Sequence, residues 1–156
     1  RIKEVTERYQ GQIAFVFRNL PLTAIHPNAR AAAASAEAAG QQGKFWEMHD
    51  KIFANQDAWK NASTSERVTI LQQYAKDHVR DIAKFDSDVA STIVNQKILF
   101  DQAIFKSTGH PQSTPTFMLN GELVSQEIWG ADEALDTFIK EKITAAGIKL
   151  PDTPKE

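Results

Sequence analysis

Any chemistry in this 156-residue chain is done without a sulfur nucleophile, because it contains no cysteine. It can form no disulfide, offer no thiolate and build no thiolate metal site. Its histidines, His26, His49, His78 and His110, are isolated from one another. No zinc spacing, calcium loop or phosphate-binding glycine loop is present, so no metal and no cofactor is expected. His26 lies in a loop between Ile25 and Pro27. It is either a polar neighbour of a functional surface or a hydrogen bonder that fixes the loop. His49 shares a helical face with Phe45 and Ile52 and reads as a packed histidine rather than a ligand. Glu37 and Glu47 could form an acidic pair near the core, or be solvated or salt-bridged. Trp46, with Phe45, Phe53 and Trp59, could line a groove, although aromatic residues at this spacing are more often core.

The elements that must position these residues follow from the patterning. The length suits one domain with a sizeable core. At 42% hydrophobic and 24% charged residues, the chain is expected to fold as an ordinary globule rather than stay disordered. A net charge of -2 excludes the large basic footprint that nucleic acid demands. No apolar run approaches the roughly 20 residues of a membrane-spanning helix. Residues 1–10 read as the back half of a helix, as though the sequence entered a longer protein mid-helix. Ile13 to Phe17 is a short apolar run rich in β-branched and aromatic residues, expected to be a buried strand. Asn28 is a candidate cap for an alanine-rich helix ending near Gly40. Helices are expected over 44–54, from a Ser63–Glu66 capping box, from Asp81, and over 93–105 after a bend. Ser107 to Pro115 is turn-rich. Thr116 to Leu119 and Glu122 to Ser125 flank Asn120-Gly121, the strongest short hairpin signal. A last helix runs from about Ala131 to Ala145, and 151–156 is a polar tail. The order is that of an α/β domain with a helical insertion.

Three stretches resemble the disulfide-exchange family typified by the periplasmic oxidase DsbA. They are Phe15 to Leu22 with Ile25 to Ala29; Ala36 to Gly40, Gly43 to Asp50 and Phe53 to Gln56; and Ser113 to Gly121. The resemblance implies a thioredoxin-like, DsbA-type α/β fold over 1–150, with a helical insertion between the core strands at about 28–106. It also implies an N-terminally incomplete domain, since the family's first strand and Cys-x-x-Cys motif would lie upstream of Arg1. In that fold the first strand is central, pairing with Ile13 to Phe17 on one side and Thr116 to Leu119 on the other. A strand from before Arg1, or one exchanged with another chain, is therefore expected to complete the sheet.

By the same resemblance Pro115 follows a cis peptide bond, and Ser113, Thr114 and Pro115 form a surface where an extended substrate pairs with the backbone. His26, Glu37 and Trp46 are possible supporting residues. The printed residues contain no catalytic group, so alone they are expected to be inactive. The intact protein is expected to exchange disulfides with cysteine-containing protein or peptide substrates, with a redox partner protein possible, in an extracytoplasmic setting. A redox-inactive peptide-binding module is the alternative. A glutathione-dependent transferase or isomerase ranks third.

Overall fold

A computed structural model describes residues 2–151, and the chain divides into two compact units. One spans Arg18–Gln112; the other joins the described residues up to Phe17 to those from Ser113 onward.

The Arg18–Gln112 unit is helical, with six helices in sequence: α2 (Ala29–Gly40), α3 (Phe45–Ala54), α4 (Gln56–Trp59), α5 (Thr64–Lys76), α6 (Ile82–Val89) and α7 (Thr92–Ser107). The other unit contains α1 (Ile2–Arg8), β1 (Phe117–Leu119), β2 (Glu122–Val124), α8 (Gln126–Trp129) and α9 (Asp132–Ala145). Helix α2 is the axis of the helical unit. Alanine is the best helix former and has no side-chain entropy to lose. Its small side chains let neighbours approach from several sides, and α3, α5, α6 and α7 all pack on it. Ala32, Ala34, Ser35, Ala36, Ala38 and Ala39 are buried together on that one helix. Met48, Ile52, Leu71, Phe85, Val94 and Ile98 supply the larger core side chains around it.

The capping box at Ser63 and Glu66 is formed as the spacing predicts. Asp81 caps α6 by accepting from the Lys84 amide, and Ser91 caps α7 by accepting from Val94. Asn28 differs from the expectation, because it makes no cap hydrogen bond to α2. Its amide nitrogen instead donates to the carbonyls of Trp59 and Ala62, at 2.8 and 2.9 Å, while its oxygen accepts from Arg67 Nη1 at 2.7 Å. Carbonyls at and beyond the end of a one-turn helix have few partners of their own, and the buried Asn28 satisfies them.

In the second unit, β1 and β2 form an antiparallel hairpin that pairs Phe117 with Val124, Met118 with Leu123 and Leu119 with Glu122. Asn120 and Gly121 both adopt positive φ, 51° and 87°. A two-residue type I′ turn needs this geometry, and its hand matches the twist of the strands. Val5 and Tyr9 pack with Leu135, Ile139 and Ile143 of α9, with Ile13 and Trp129 against them.

The apolar run at Ile13 to Phe17 departs from the buried strand that its composition predicts. It carries no strand, and Val16 is 64% exposed. Ile13 makes a single bridge, to Gln10. A strand exists only through a neighbour, and the only ladder among the described residues joins β1 to β2.

Tyr9 is fully buried, and its hydroxyl donates to Asp136 on α9 at 2.7 Å. Arg8 and Lys140 reach the same carboxylate at 2.6 and 2.8 Å. Burial pushes the Asp136 carboxyl up, but the hydrogen bonds from Lys140, Tyr9 and Arg8 outweigh it and lower its pKa to about 2. Burial, then Asp136 itself, raises the Tyr9 phenol to about 12. A carboxyl whose folded pKa lies below its unfolded one stabilises the fold above the unfolded pKa, and that stability drains away as pH falls toward the folded one. Thermal melts should therefore show stability falling between about pH 5 and pH 2, with the Asp136→Asn variant flatter across that window. At pH 7 the same variant should lose on the order of 1–3 kcal/mol, since Tyr9 donates to a charged acceptor. Identical pH profiles for the two proteins would contradict this assignment.

Candidate functional site

The segment that enters β1 is built so that its backbone remains available. Ser113, Thr114 and Pro115 are all exposed, and the Thr114–Pro115 peptide bond is cis. The Thr116 hydroxyl donates to the Ser113 carbonyl at 2.7 Å and so pins the chain just ahead of the strand. Thr114 has no hydrogen-bonded partner for its amide or carbonyl among the described residues, and the same holds for the backbone of Thr116.

The hairpin register explains which edge is open. Leu119 and Glu122 close a two-residue turn, so they form a hydrogen-bonded pair, as do Phe117 and Val124 two residues on. The backbone groups of Phe117 and Leu119 thus face β2. Those of Met118 and Thr116 face the opposite edge, where the sheet has no third strand among the described residues. Phe117 is held from the side by Trp129, with ring centroids 5.4 Å apart. This contact fixes the strand against the turn that contains α8.

The other three residues singled out from sequence lie in the helical unit and occupy different surroundings there. His26 is exposed, and its imidazole forms no hydrogen bond among the described residues. The backbone of His26 is more engaged, donating to Leu22 and accepting from Ala29. Trp46 is 45% exposed, with its ring edge-on to Phe45 at 5.1 Å and to His49 at 5.3 Å. Glu37 is buried and accepts from the Asn19 amide at 2.6 Å. The acidic pair of Glu37 with Glu47 is not formed, because Glu47 is exposed and held by Lys44 at 2.7 Å.

Glu37 belongs instead to a polar cluster centred on Asp101, whose side chain is completely buried on α7. Asp101 accepts from Arg18 Nη1 at 3.0 Å, from the Asn19 backbone at 3.0 Å and from the Asn19 side chain at 3.1 Å. Lys97, one turn earlier, also reaches Asp101 and lies 3.7 Å from Glu37. Burial alone would raise the Asp101 carboxyl, but the Asn19 amide and Lys97 lower it below its ordinary value. Two cations thus balance two carboxylates, and the cluster fastens the Arg18–Asn19 segment to α2 and α7. Sequence reasoning missed it, although a signal was there. Val94, Ile98 and Asp101 fall on one buried face of α7, and a carboxylate on such a face demands partners.

Among the described residues, no group of three or more histidine, aspartate or glutamate side chains could hold a metal ion. A shallow groove between α4 and α5, lined by Asp57, Asn61, Ser65 and Glu66 among others, includes none of the candidate site residues Ser113, Thr114, Pro115, His26, Glu37 and Trp46. No helix there is long and apolar enough to cross a membrane.

Comparison with known proteins adds a lineage. A family model described as thioredoxin matches residues 1–141. Among curated proteins, a Na(+)/H(+) antiporter NhaA 3 of Salinispora tropica is 39% identical over 122 residues, covering 77% of this chain and 17% of the relative. A Na(+)/H(+) antiporter NhaA 1 of Salinispora arenicola is 40% identical over 111 residues, covering 70% of this chain and 16% of the relative. One from Mycolicibacterium vanbaalenii is 34% identical over 125 residues, covering 77% and 18%. The chain therefore spans about a sixth of the length of the curated relatives it matches. No solved structure matches it.

Replacing Asp101 by alanine would strand the buried Asn19 backbone amide, while Glu37 keeps the Asn19 side chain and Lys97. Arg18 and Lys97 are each partly exposed and can return to water. The expected cost is therefore about 1–3 kcal/mol, less than for a fully desolvated pair. Denaturant unfolding followed by Trp59, which is buried in the same unit, measures it; an unchanged midpoint would show that the cluster holds nothing in place.

Proposed function

Because this chain belongs to the thioredoxin family, we propose that its Ser113–Thr116 segment is the docking edge for extended polypeptide in a protein that exchanges disulfides. The free backbone of Thr114, exposed in the bend just ahead of β1, carries the reading. A peptide laid beside it gains main-chain hydrogen bonds of the strand-addition kind, and these do not depend on its sequence. A site of that type suits many protein substrates.

The exchange itself needs a thiolate. It attacks one sulfur of the substrate disulfide, the sulfur–sulfur bond breaks, and a mixed disulfide forms. A second thiol then resolves it and releases the substrate reduced, leaving the pair oxidised; the reverse direction installs a disulfide. The 156 residues contain no cysteine, so the reactive pair is assigned to a Cys-x-x-Cys segment elsewhere in the intact protein. The helix N-terminus in such motifs stabilises the thiolate. An added strand, from the longer chain or from another copy, would pair with β1 along Thr116 to Leu119 and leave the Thr114 backbone, ahead of the strand, for the substrate. The helical unit is read as the insertion of a DsbA-type arrangement. An oxidising, extracytoplasmic setting follows from the chemistry, because disulfides persist there. A redox partner protein would reset the pair.

The absence of cysteine favours one other reading, a module that kept the docking edge and lost the chemistry. Thiol titration of the native protein, after reduction and unfolding, separates the two. The exchange reading predicts two thiols per chain and disulfide reduction in an insulin turbidity assay. No thiol and no turnover would contradict it and leave the docking module.

A further inference from the structure

The hairpin turn sets a side-chain carbonyl beside a backbone nitrogen that can attack it. Of the asparagines Asn19, Asn28, Asn55, Asn61, Asn95 and Asn120, only Asn120 precedes a glycine. The side chains of Asn19, Asn28, Asn55 and Asn95 are hydrogen-bonded. Asn61 is exposed, but the amide that follows it, that of Ala62, donates to the Trp59 carbonyl at 3.2 Å. Asn120 differs on both counts. It is exposed, and its carboxamide makes no hydrogen bond among the described residues. The Gly121 amide, also exposed, has no acceptor among them either. A Cβ built on Gly121 would meet nothing within 4 Å, so the space around this backbone is open to water. Glycine also places no side chain of its own in the way of its nitrogen. The two strands have three residues each. A hairpin so short opens locally at little cost, which lets the turn leave its resting geometry for that of the attack.

We infer that Asn120-Gly121 is a site of spontaneous covalent modification, the deamidation of Asn120. The Gly121 nitrogen gives its proton to hydroxide and attacks Cγ of the Asn120 side chain. A carbon–nitrogen bond forms, the bond from Cγ to the side-chain nitrogen breaks, and that nitrogen takes a proton from water and leaves as ammonia. The cyclic imide left behind then takes up one water. Opening at the side-chain carbonyl gives aspartate in an ordinary chain. Opening at the main-chain carbonyl gives isoaspartate, in which the chain runs through the side chain. The two products differ in what they do to the fold. Asp-Gly suits a type I′ turn as Asn-Gly does, so aspartate keeps the hairpin. Isoaspartate adds a methylene to the backbone of a two-residue turn, and the register that this turn sets between β1 and β2 is lost. The chemistry is independent of the docking reading; only the loss of a docking edge in the isoaspartate form rests on it.

The test holds the native protein in warm, mildly alkaline buffer beside the same protein in denaturant, and follows both by tryptic digestion and mass spectrometry. No lysine or arginine lies between Lys106 and Lys140, so Asn120 falls within one peptide. In the native protein that peptide should exchange an amide for an acid with time and split into two chromatographic forms. Asn120→Gly leaves Gly-Gly, which also suits a type I′ turn, and should abolish the change. An Asn120 that stays intact in the native protein while the denatured protein is converted would overturn the inference. The two native products are then separated by ion exchange. Amide exchange at Phe117 and Leu119, which face β2, should match the parent in the aspartate form and rise by about tenfold or more in the isoaspartate form. Equal protection in both forms would overturn the loss of register while leaving the docking reading untouched.

Discussion

A β-strand has two edges, and β1 has a partner on only one of them among the described residues. That constraint organises the second unit. Backbone amides and carbonyls need partners wherever water cannot serve them, and in a sheet they find them on the neighbouring strand. The type I′ turn at Asn120-Gly121 fixes the register of β1 on β2 and thereby decides which groups point outward. Thr116 and Met118 face the open edge by that register, and Thr114, in the bend ahead of the strand, has its backbone free among the described residues. Everything proposed for function depends on this row of unsatisfied groups. The same deficit explains why the apolar run at Ile13 to Phe17 forms no strand: its composition favours pairing, and it has no ladder to join.

Two polar centres hold the units, each within its own. In one, Asp136 gathers Tyr9, Arg8 and Lys140 and ties α9 to the end of α1. In the other, Asp101 gathers Arg18, Asn19 and Lys97, with Glu37 alongside. Both are carboxylates taken out of water, and both have their pKa lowered because hydrogen bonds and cations more than offset burial. Such centres contribute less to net stability than their bond counts suggest, since desolvation consumes much of the gain. Their main effect is to fix one arrangement, because removing a member leaves a buried group without a partner.

The legible part of the fold was whatever a local rule could decide. The alanine run of α2, the capping box at Ser63 and the Asn120-Gly121 hairpin each follow from propensity or short-range hydrogen bonding, and each is present. What escaped was decided by partners distant in sequence. Asn28 looks like a cap, yet carbonyls more than thirty residues away claim its amide. Ile13 to Phe17 looks like a strand, yet strand formation is a property of a pair. Glu37 was noticed as an acid in a helix, but its partner Asn19 and the buried Asp101 beside it became visible only in three dimensions. At the docking edge the residue types pointed to Ser113, Thr114 and Pro115 by resemblance. The availability of the Thr114 backbone is a fact of the fold.

The central claim is that polypeptide pairs with this edge through the main chain. Residue-resolved amide hydrogen exchange, with and without a saturating extended peptide, tests it most directly. The account predicts that exchange at Thr114 slows by about tenfold or more on binding, as a new main-chain hydrogen bond requires. Amides of α5, in the other unit, should not change. Unchanged exchange at Thr114 with the peptide bound would contradict the account.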